Sequence, residues 1–158
     1  MGRVITLPAL ESSRREFRDR HQRVVFTNGV FDILHRGHVE YLSKAKELGD
    51  ILIVGMNNDS SVRRIKGEKR PVVPEQDRAY VLANLCPVDF VCLFEQDTPY
   101  ELIRALLPDV LVKGADWSIE KIIGKDIVEA AGGTVTAIDF IPDRSTTNII
   151  ERILERYS

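Results

Sequence analysis

Short apolar runs alternate with longer helix-like segments along most of this chain of 158 residues. The runs are rich in Val, Ile and Phe, as is typical of strands buried on both faces of a sheet. They are Val24–Thr27, Ile51–Met56, Phe90–Phe94, Val110–Val112 and Thr134–Ile141. The segments between and after them are Gly37–Leu48, Glu75–Leu85, Thr98–Leu107, Ile119–Ala131 and Ser145–Tyr157. This order predicts an α/β fold with a doubly wound, parallel, five-stranded sheet and helices on both faces.

The predicted elements fit one main domain over residues 23–158, a length that can bury its own core. Residues 1–22 precede it, with a predicted lead-in helix around Ser12–His21. In an open parallel sheet, ligands bind at the carboxyl ends of the strands, near the switch in strand order. We therefore expect the functional residues in the loops that follow the strands.

The composition excludes several classes of partner. The chain has 22 Lys and Arg residues against 24 Asp and Glu residues, so it lacks the positive field of a dedicated nucleic-acid binder. No apolar run approaches the roughly 20 residues that span a bilayer. Cys86 and Cys92 match no zinc or redox spacing, which is typical of a reducing compartment. We predict a cytoplasmic protein that binds neither nucleic acid nor membrane.

Two phosphate-binding motifs are missing from the sequence. No G-x-G-x-x-G follows the first strand, and this weakens the case for a dinucleotide-binding dehydrogenase. No G-x-x-x-x-G-K-[ST] occurs either, and this argues against a P-loop kinase. A phosphate ligand would therefore need a different binding loop.

The loop after the first strand carries His35 and His38, with Gly37 between them. Three-residue spacing in a turn points both imidazoles to one side. Gly37 allows a ligand to approach the free N–H groups at the start of the next helix. Two imidazole donors there are suited to binding phosphate oxygens and to stabilising charge that develops on phosphorus. A zinc pair is the alternative, but no third ligand stands at a recognisable spacing, so we predict no protein metal site.

The stretch from Gly29 to His38, Gly-Val-Phe-Asp-Ile-Leu-His-Arg-Gly-His, resembles the signature of the H-x-G-H nucleotidyltransferase superfamily. Within it, the chain is most similar to the heptose 1-phosphate adenylyltransferases, which make ADP-heptose. The other matching motifs are Phe26-Thr27-Asn28-Gly29, Arg64-Ile65-Lys66-Gly67, Arg70-Pro71-Val72, Asp97-Thr98-Pro99, Leu111-Val112-Lys113-Gly114 and Ser145-Thr146-Thr147-Asn148-Ile149-Ile150.

The resemblance implies a Rossmann-like nucleotidyltransferase fold, a homodimer and a role in lipopolysaccharide biosynthesis. It implies that ATP and D-glycero-D-manno-heptose 1-phosphate react by in-line attack on the α-phosphate, giving ADP-heptose and pyrophosphate. Mg²⁺ is expected as the cofactor that accompanies ATP.

The resemblance also implies roles for individual residues. His35, His38 and Lys66 are the expected catalytic residues, and Lys69 and Arg78 are expected near the substrate phosphate. The expected nucleotide-binding residues are Thr27, Asn28, Gly29, Phe31, Gly37, Gly114, Asp116, Ser145, Thr146 and Thr147. From the residues alone, Arg78 could equally form a surface ion pair, and Ser145 could act only as a helix N-cap.

Other functions remain open from the sequence. After Gly114 the chain reads Ala-Asp-Trp, whereas heptose-type members often have Gly-Asp-Tyr and glycerol-phosphate cytidylyltransferases also carry Asp-Trp. A cytidylyltransferase of glycerol phosphate or a similar alcohol phosphate is therefore an alternative, as is an FMN adenylyltransferase. A non-catalytic nucleotide-binding module is a third possibility, because a fold alone does not determine function.

Overall fold

Six parallel strands form a single sheet in the computed structural model, which describes residues 2–115, 118–139 and 144–157. The strands are β1 (Arg3–Val4), β2 (Val24–Gly29), β3 (Ile51–Asn57), β4 (Phe90–Phe94), β5 (Val110–Gly114) and β6 (Thr134–Ile138). Their order in the sheet is β1-β4-β3-β2-β5-β6. The predicted doubly wound parallel class is confirmed, but the predicted count of five strands is one too low, because Arg3–Val4 adds a short edge strand beside β4.

Helices cover both faces of this sheet. They are α1 (Leu7–Asp19), α2 (Arg36–Lys46), α3 (Asp59–Lys66), α4 (Glu75–Ala83), α5 (Tyr100–Leu106), α6 (Lys125–Ala130) and α7 (Thr146–Tyr157). Successive strand residues point to opposite faces. Val25 packs in a cluster with residues of α2 and α4, whereas Val24 and Phe26 pack with residues of α1, α5 and α6. Burial on both sides explains why the strands read as nearly continuous apolar runs.

The N-terminal segment is part of the same core. Helix α1 begins at Leu7, earlier than the predicted Ser12, and it buries Leu10 and Phe17 in the cluster that contains Phe26. Arg3 lies over the ring of Phe90. Residues 2–22 therefore contribute a strand and a helix to the sheet domain, in addition to leading into it.

Two helical segments differ from the predicted ones. The basic stretch Arg63–Pro71, with its Gly and Pro, has the composition of a loop, but Arg63 to Lys66 form the last turn of α3, and the loop begins only at Gly67 with a φ of 93°. The predicted helix Ile119–Ala131 divides into a 3₁₀ turn over Ile119–Lys121 and helix α6. Gly124 separates the two with a φ of 86°, which disfavours any residue with a side chain.

The strand order places the functional end of the sheet between β2 and β5. From β2 the chain proceeds outward through β3 to β4, and it then returns to build β5 and β6 on the other side of β2. A crevice opens where the strand order reverses in this way. None of the helices that the structure describes has both the length and the hydropathy to cross a bilayer.

Candidate active site

Two neighbouring cavities open at the carboxyl ends of β2 and β5. The first, here the α7 cavity, has a volume of about 330 Å³ and is lined by His35, Arg36, Arg144, Ser145, Asn148, Ile149 and Arg152. The second, here the strand-end cavity, has a volume of about 400 Å³. Its polar lining includes Asn28, Asp32, His38, Asn57, Lys66, Arg70, Asp97, Thr98, Lys113, Lys121 and Thr146.

The two predicted catalytic histidines lie where these cavities meet. His35 is the N-cap of α2 and lines the α7 cavity, whereas His38 lies in the first turn and lines the strand-end cavity. Their rings stack with centroids 3.9 Å apart and an interplanar angle of 25°. Phe31 packs against His38, with a centroid distance of 5.3 Å. The spacing in the sequence thus brings both imidazoles to one place, as predicted.

Both imidazoles are neutral near neutral pH. Burial, together with the neighbouring His35, lowers the pKa of His38 from 6.5 to about 4. Burial also lowers the pKa of His35, and the charge of Arg144 adds to that effect. The Nδ1 atoms of both rings are buried and make no hydrogen bond to any residue in the described part of the chain. The pair therefore has hydrogen-bonding capacity that the protein itself does not use.

Gly37 leaves room for His35 and Arg144 to pack against the start of α2. A Cβ at this position would lie 3.0 Å from two ring atoms of His35 and 3.1 Å from the Cβ of Arg144. A side chain would push both residues away from the helix N-terminus, where free N–H groups can bind an anion. Gly37 therefore contributes through the space it leaves.

Asp32 braces the loop that carries the basic residues. Its fully buried carboxylate accepts hydrogen bonds from the backbone N–H groups of Val72 and Val73, both at 2.9 Å, and pairs with Nε of Arg70 at 2.5 Å. Burial alone raises the pKa of Asp32, but the hydrogen bonds of Val73 and Val72 and the Arg70 pair lower it below its ordinary value. Asp32 is thus a carboxylate that fixes the loop across the strand-end cavity.

Arg78 does not lie where the sequence predicted. Its side chain is fully buried and donates to the carbonyl oxygens of Val73, Val30 and Asn57, and it pairs with Asp59 at 2.6 Å. A guanidinium that is enclosed in this way has no surface to offer a substrate phosphate. Arg78 instead joins three backbone segments beneath the strand-end cavity.

Two predicted basic residues, Lys66 and Lys69, differ in their positions relative to the cavities. Lys66 is exposed at the end of α3 and lines the strand-end cavity, and its catalytic role stays a prediction. Lys69 is exposed in the following loop and lies outside both described cavities. Its predicted contact with the substrate phosphate therefore has no support in this geometry.

The start of α7 connects the two cavities. Ser145 lines the α7 cavity, and its Oγ accepts a hydrogen bond from the backbone N–H of Asn148 at 3.1 Å, so it acts as an N-cap. Thr146 lines the strand-end cavity, and its Oγ1 donates to the carbonyl oxygen of Ile33 at 3.3 Å. Thr147 is exposed and lies outside both cavities.

The remaining predicted nucleotide-binding residues divide into two groups. Asn28, Gly29 and Phe31 line the strand-end cavity. Thr27 and Gly114 do not: Gly114 is buried at the end of β5, and Thr27 is fully buried with its Oγ1 2.7 Å from the hydroxyl of Tyr41. Thr27 therefore packs inside the domain and does not face a ligand. Asp116 falls outside the described residues.

Several lining residues were missed from the sequence. In the strand-end cavity these are Asn57, Asp97, Lys113 and Lys121, and in the α7 cavity they are Arg36, Asn148 and Arg152. The Asp-Thr-Pro and Val-Lys-Gly motifs pointed to two of them, because polar residues directly after buried strands meet at one edge of the sheet. Arg152 carries no local signal, because it stands in a helix that also has Arg156.

Comparison with known proteins finds a matching family model and several similar proteins. The family model described as cytidylyltransferase-like matches residues 26–152. The bifunctional protein HldE of Pelobacter propionicus is 58% identical over 139 residues, which are 88% of this chain and 28% of that protein. HldE of Syntrophotalea carbinolica is 58% identical over 148 residues, 94% of this chain and 29% of that protein. The chain therefore spans less than a third of the length of these relatives.

Comparison with solved structures finds chains of similar fold. The lipopolysaccharide core biosynthesis protein from Thermoplasma volcanium GSS1 superposes with a TM-score of 0.63 at 30% identity, covering 76% of this chain and 97% of that chain. Pantoate-beta-alanine ligase from Francisella tularensis superposes with a TM-score of 0.63 at 16% identity, covering 98% of this chain and 80% of that chain. The second likeness concerns the fold alone.

Proposed function

The chain belongs to the cytidylyltransferase-like family, and on this basis we propose that it is a heptose 1-phosphate adenylyltransferase. It joins ATP to D-glycero-D-manno-heptose 1-phosphate and releases ADP-heptose and pyrophosphate. The high identity to the bifunctional HldE proteins and the motifs outside the histidine signature support this branch of the family. The solved relative that is described as a lipopolysaccharide core biosynthesis protein supports a role in lipopolysaccharide biosynthesis.

The observation that carries the proposal is the stacked histidine pair between two cavities. In-line transfer requires the attacking and leaving oxygens on opposite sides of the phosphorus. His35 lines one cavity and His38 lines the other. The α-phosphate binds beside the two rings, the β- and γ-phosphates bind in the α7 cavity, and the sugar phosphate binds in the strand-end cavity.

In this mechanism the protein positions the two substrates and stabilises the negative charge that develops on the phosphate oxygens, and it needs no general base. A phosphate monoester is already anionic near neutral pH, so it can attack without losing a proton to the protein. His35 and His38 donate hydrogen bonds to phosphate oxygens, and each such donor contributes about 3 kcal/mol when it acts mainly on the transition state. Lys66 neutralises charge on the reacting phosphates. Ser145 and the free N–H groups of α7 hold the leaving pyrophosphate.

Mg²⁺ fits this site as an ion that arrives with the nucleotide. Among the described residues, no group of three or more His, Cys, Asp or Glu side chains could form a protein cage for a metal. Asp32 is occupied by Arg70 and two backbone N–H groups. Mg²⁺ commonly keeps several water molecules and binds substrate phosphates, so this donor set suits it. When bound, it supplies charge neutralisation on the phosphate oxygens.

Binding of ATP should raise the pKa of His38. In the empty site this pKa is about 4, so the ring is neutral at pH 6. A phosphate oxygen beside the ring favours the imidazolium form and moves the pKa upward, so the ring takes up a proton between pH 4 and the new pKa. Titration of the His38 ring signals by NMR, with and without Mg-ATP, should show an increase of at least about one unit. An unchanged pKa would place the phosphates away from this ring.

The proposed activity is tested with a panel of substrates. ATP and CTP are each combined with the heptose 1-phosphate, glycerol 3-phosphate or FMN, and released pyrophosphate is measured. We expect release with ATP and the heptose phosphate. Release with CTP and glycerol phosphate alone, or with ATP and FMN alone, would replace the proposal with the corresponding alternative. Nucleotide binding with no release in any combination would indicate a non-catalytic binding module.

Two further properties belong to the proposal. A homodimer is supported by the exposed apolar side chains of α7, which include Ile153, Leu154 and Tyr157. A cytoplasmic location is supported by the two free cysteines and by a reaction that consumes ATP.

A further inference from the structure

A short chain of hydrogen bonds fixes the side chain of Asn57, the last residue of β3. The hydroxyl of Ser61, on α3, donates to the backbone carbonyl oxygen of Gln96 at 3.0 Å. A hydroxyl has only one hydrogen to donate, so its other bond must be one that it accepts. That bond comes from Nδ2 of Asn57 at 2.9 Å. The chain therefore decides which end of the Asn57 amide is the nitrogen and which is the oxygen.

The amide oxygen of Asn57 remains available to a ligand. Asn57 is only 3% exposed and lines the strand-end cavity. Within the described part of the chain, its Oδ1 accepts no hydrogen bond, yet this atom is not sealed from solvent as the Nδ1 atoms of the two stacked histidines are. A nearly buried side chain thus presents one neutral acceptor to the cavity.

A neutral acceptor suits a hydroxyl group better than a phosphate. Phosphate oxygens are themselves almost entirely acceptors near neutral pH, whereas every hydroxyl of a sugar can donate a hydrogen bond. The bond to Ser61 already holds the Asn57 amide in place, so binding a hydroxyl orders no mobile side chain. Asn57 therefore has the chemistry to recognise the carbohydrate part of a sugar phosphate.

The strand order gives the direction in which the acceptor substrate extends. The segment that carries His38 follows β2, and β3 lies between β2 and β4, with adjacent strands about 4.8 Å apart. With its phosphate beside His38, the acceptor extends across the end of β3, where Asn57 lies. We propose that Asn57 is a specificity-determining residue, whose Oδ1 accepts a hydrogen bond from a hydroxyl group of the acceptor sugar. This inference rests on the proposed function and orients the acceptor in the same site.

The proposal predicts a loss of affinity that is confined to ligands with hydroxyl groups. Calorimetry without nucleotide gives the Kd of the heptose 1-phosphate and the Kd of inorganic phosphate for each protein. In Asn57→Ala, the Kd of the heptose 1-phosphate should rise about 3- to 10-fold, as expected for the loss of one hydrogen bond. The Kd of inorganic phosphate should stay the same, because this ligand has no sugar hydroxyl. The preference for the sugar phosphate over inorganic phosphate should therefore fall.

Three further variants control for folding and for charge. Asn57→Asp keeps an acceptor oxygen and adds a negative charge that acts on both ligands, so the preference for the sugar phosphate should be retained. Asn57→Ser shortens the side chain but keeps a polar group, and it replaces Asn57→Ala if the alanine variant does not fold. Asn84→Ala removes an exposed asparagine at the end of α4, outside both described cavities, and should change neither Kd.

Monodeoxy analogues of the heptose 1-phosphate identify the hydroxyl group. One analogue should bind the wild type as weakly as the heptose 1-phosphate binds Asn57→Ala, and it should lose no further affinity in that variant. Losses that add for every analogue would overturn the proposal. An unchanged preference for the sugar phosphate in Asn57→Ala would overturn it as well.

The same measurements separate this inference from the proposed function. Pyrophosphate release tests the function, whereas the difference between a hydroxyl-bearing phosphate and inorganic phosphate tests Asn57. If the wild type accepted only glycerol 3-phosphate, the proposed function would fail, and the preference would be measured with that compound. A reduced preference in Asn57→Ala would then still support the role of Asn57, and an unchanged one would contradict it.

Discussion

Replacing His38 with Ala should lower kcat by about a hundredfold to a thousandfold, the loss found when one preorganised donor is removed from a charge-stabilising site. The imidazole lies between the two cavities, and its Nδ1 makes no hydrogen bond within the described part of the chain. The ring therefore contributes little to the network that holds the fold. We expect an unchanged far-UV circular dichroism spectrum and a large fall in pyrophosphate release at saturating substrates.

His21→Ala is the matched control, because His21 is the one histidine of the chain outside the stacked pair and is exposed at the opposite end of the sheet. This variant should retain wild-type kcat. If His38→Ala also retained full activity, the stacked pair would not take part in the reaction, and the proposed mechanism would lose its main donor.

Replacing Arg78 with Met should lower the free energy of unfolding by about 3 to 5 kcal/mol, the usual loss when one partner of a buried ion pair is removed. Met has a comparable length but cannot donate to the three carbonyl oxygens or to Asp59 that the guanidinium now satisfies. Each acceptor that is left buried and unpaired adds to the loss. Urea denaturation, followed by circular dichroism, measures the change.

Arg104→Met provides the comparison for an exposed arginine. Arg104 is 64% exposed and pairs with Glu101 on the surface of α5, so its loss should change the stability by less than about 1 kcal/mol. An Arg78→Met protein of normal stability, with a raised KM for the sugar phosphate, would contradict the structural role. It would instead support the phosphate-binding role that the family resemblance implied.

The contrast between Arg78 and the histidines shows what local sequence can predict. His35 and His38 lie within one turn, so their spacing alone brings the rings together. Arg78 has partners in two segments that are distant in the sequence, at Val30 and at Asn57 and Asp59, and its neighbours in α4 give no sign of them. The same reason explains Thr27, whose partner Tyr41 lies on α2. Residue type and spacing predict which groups can react, but burial and long-range partners decide which of them face the ligand.

The strands also differ in how well the sequence predicts them. The run Phe90–Phe94 coincides with β4, because five consecutive apolar residues buried on both faces leave a strong pattern. The strand Arg3–Val4 has two residues, which is too short for any periodicity to appear. Lys113 stands in a matching motif but was not among the predicted site residues, because a single lysine at the end of an apolar run is typical of any strand terminus. Only the pairing of β5 with β2 shows that it lies beside Asn28.

Two imidazolium rings with centroids 3.9 Å apart would repel each other, so His35 and His38 can share one proton more readily than each can carry its own. In the proposed mode of binding, a triphosphate would therefore gain at most one positive charge from the pair. The rest of its negative charge would be balanced by Arg144 and Arg152, which line the α7 cavity, and by cations that enter with the ligand.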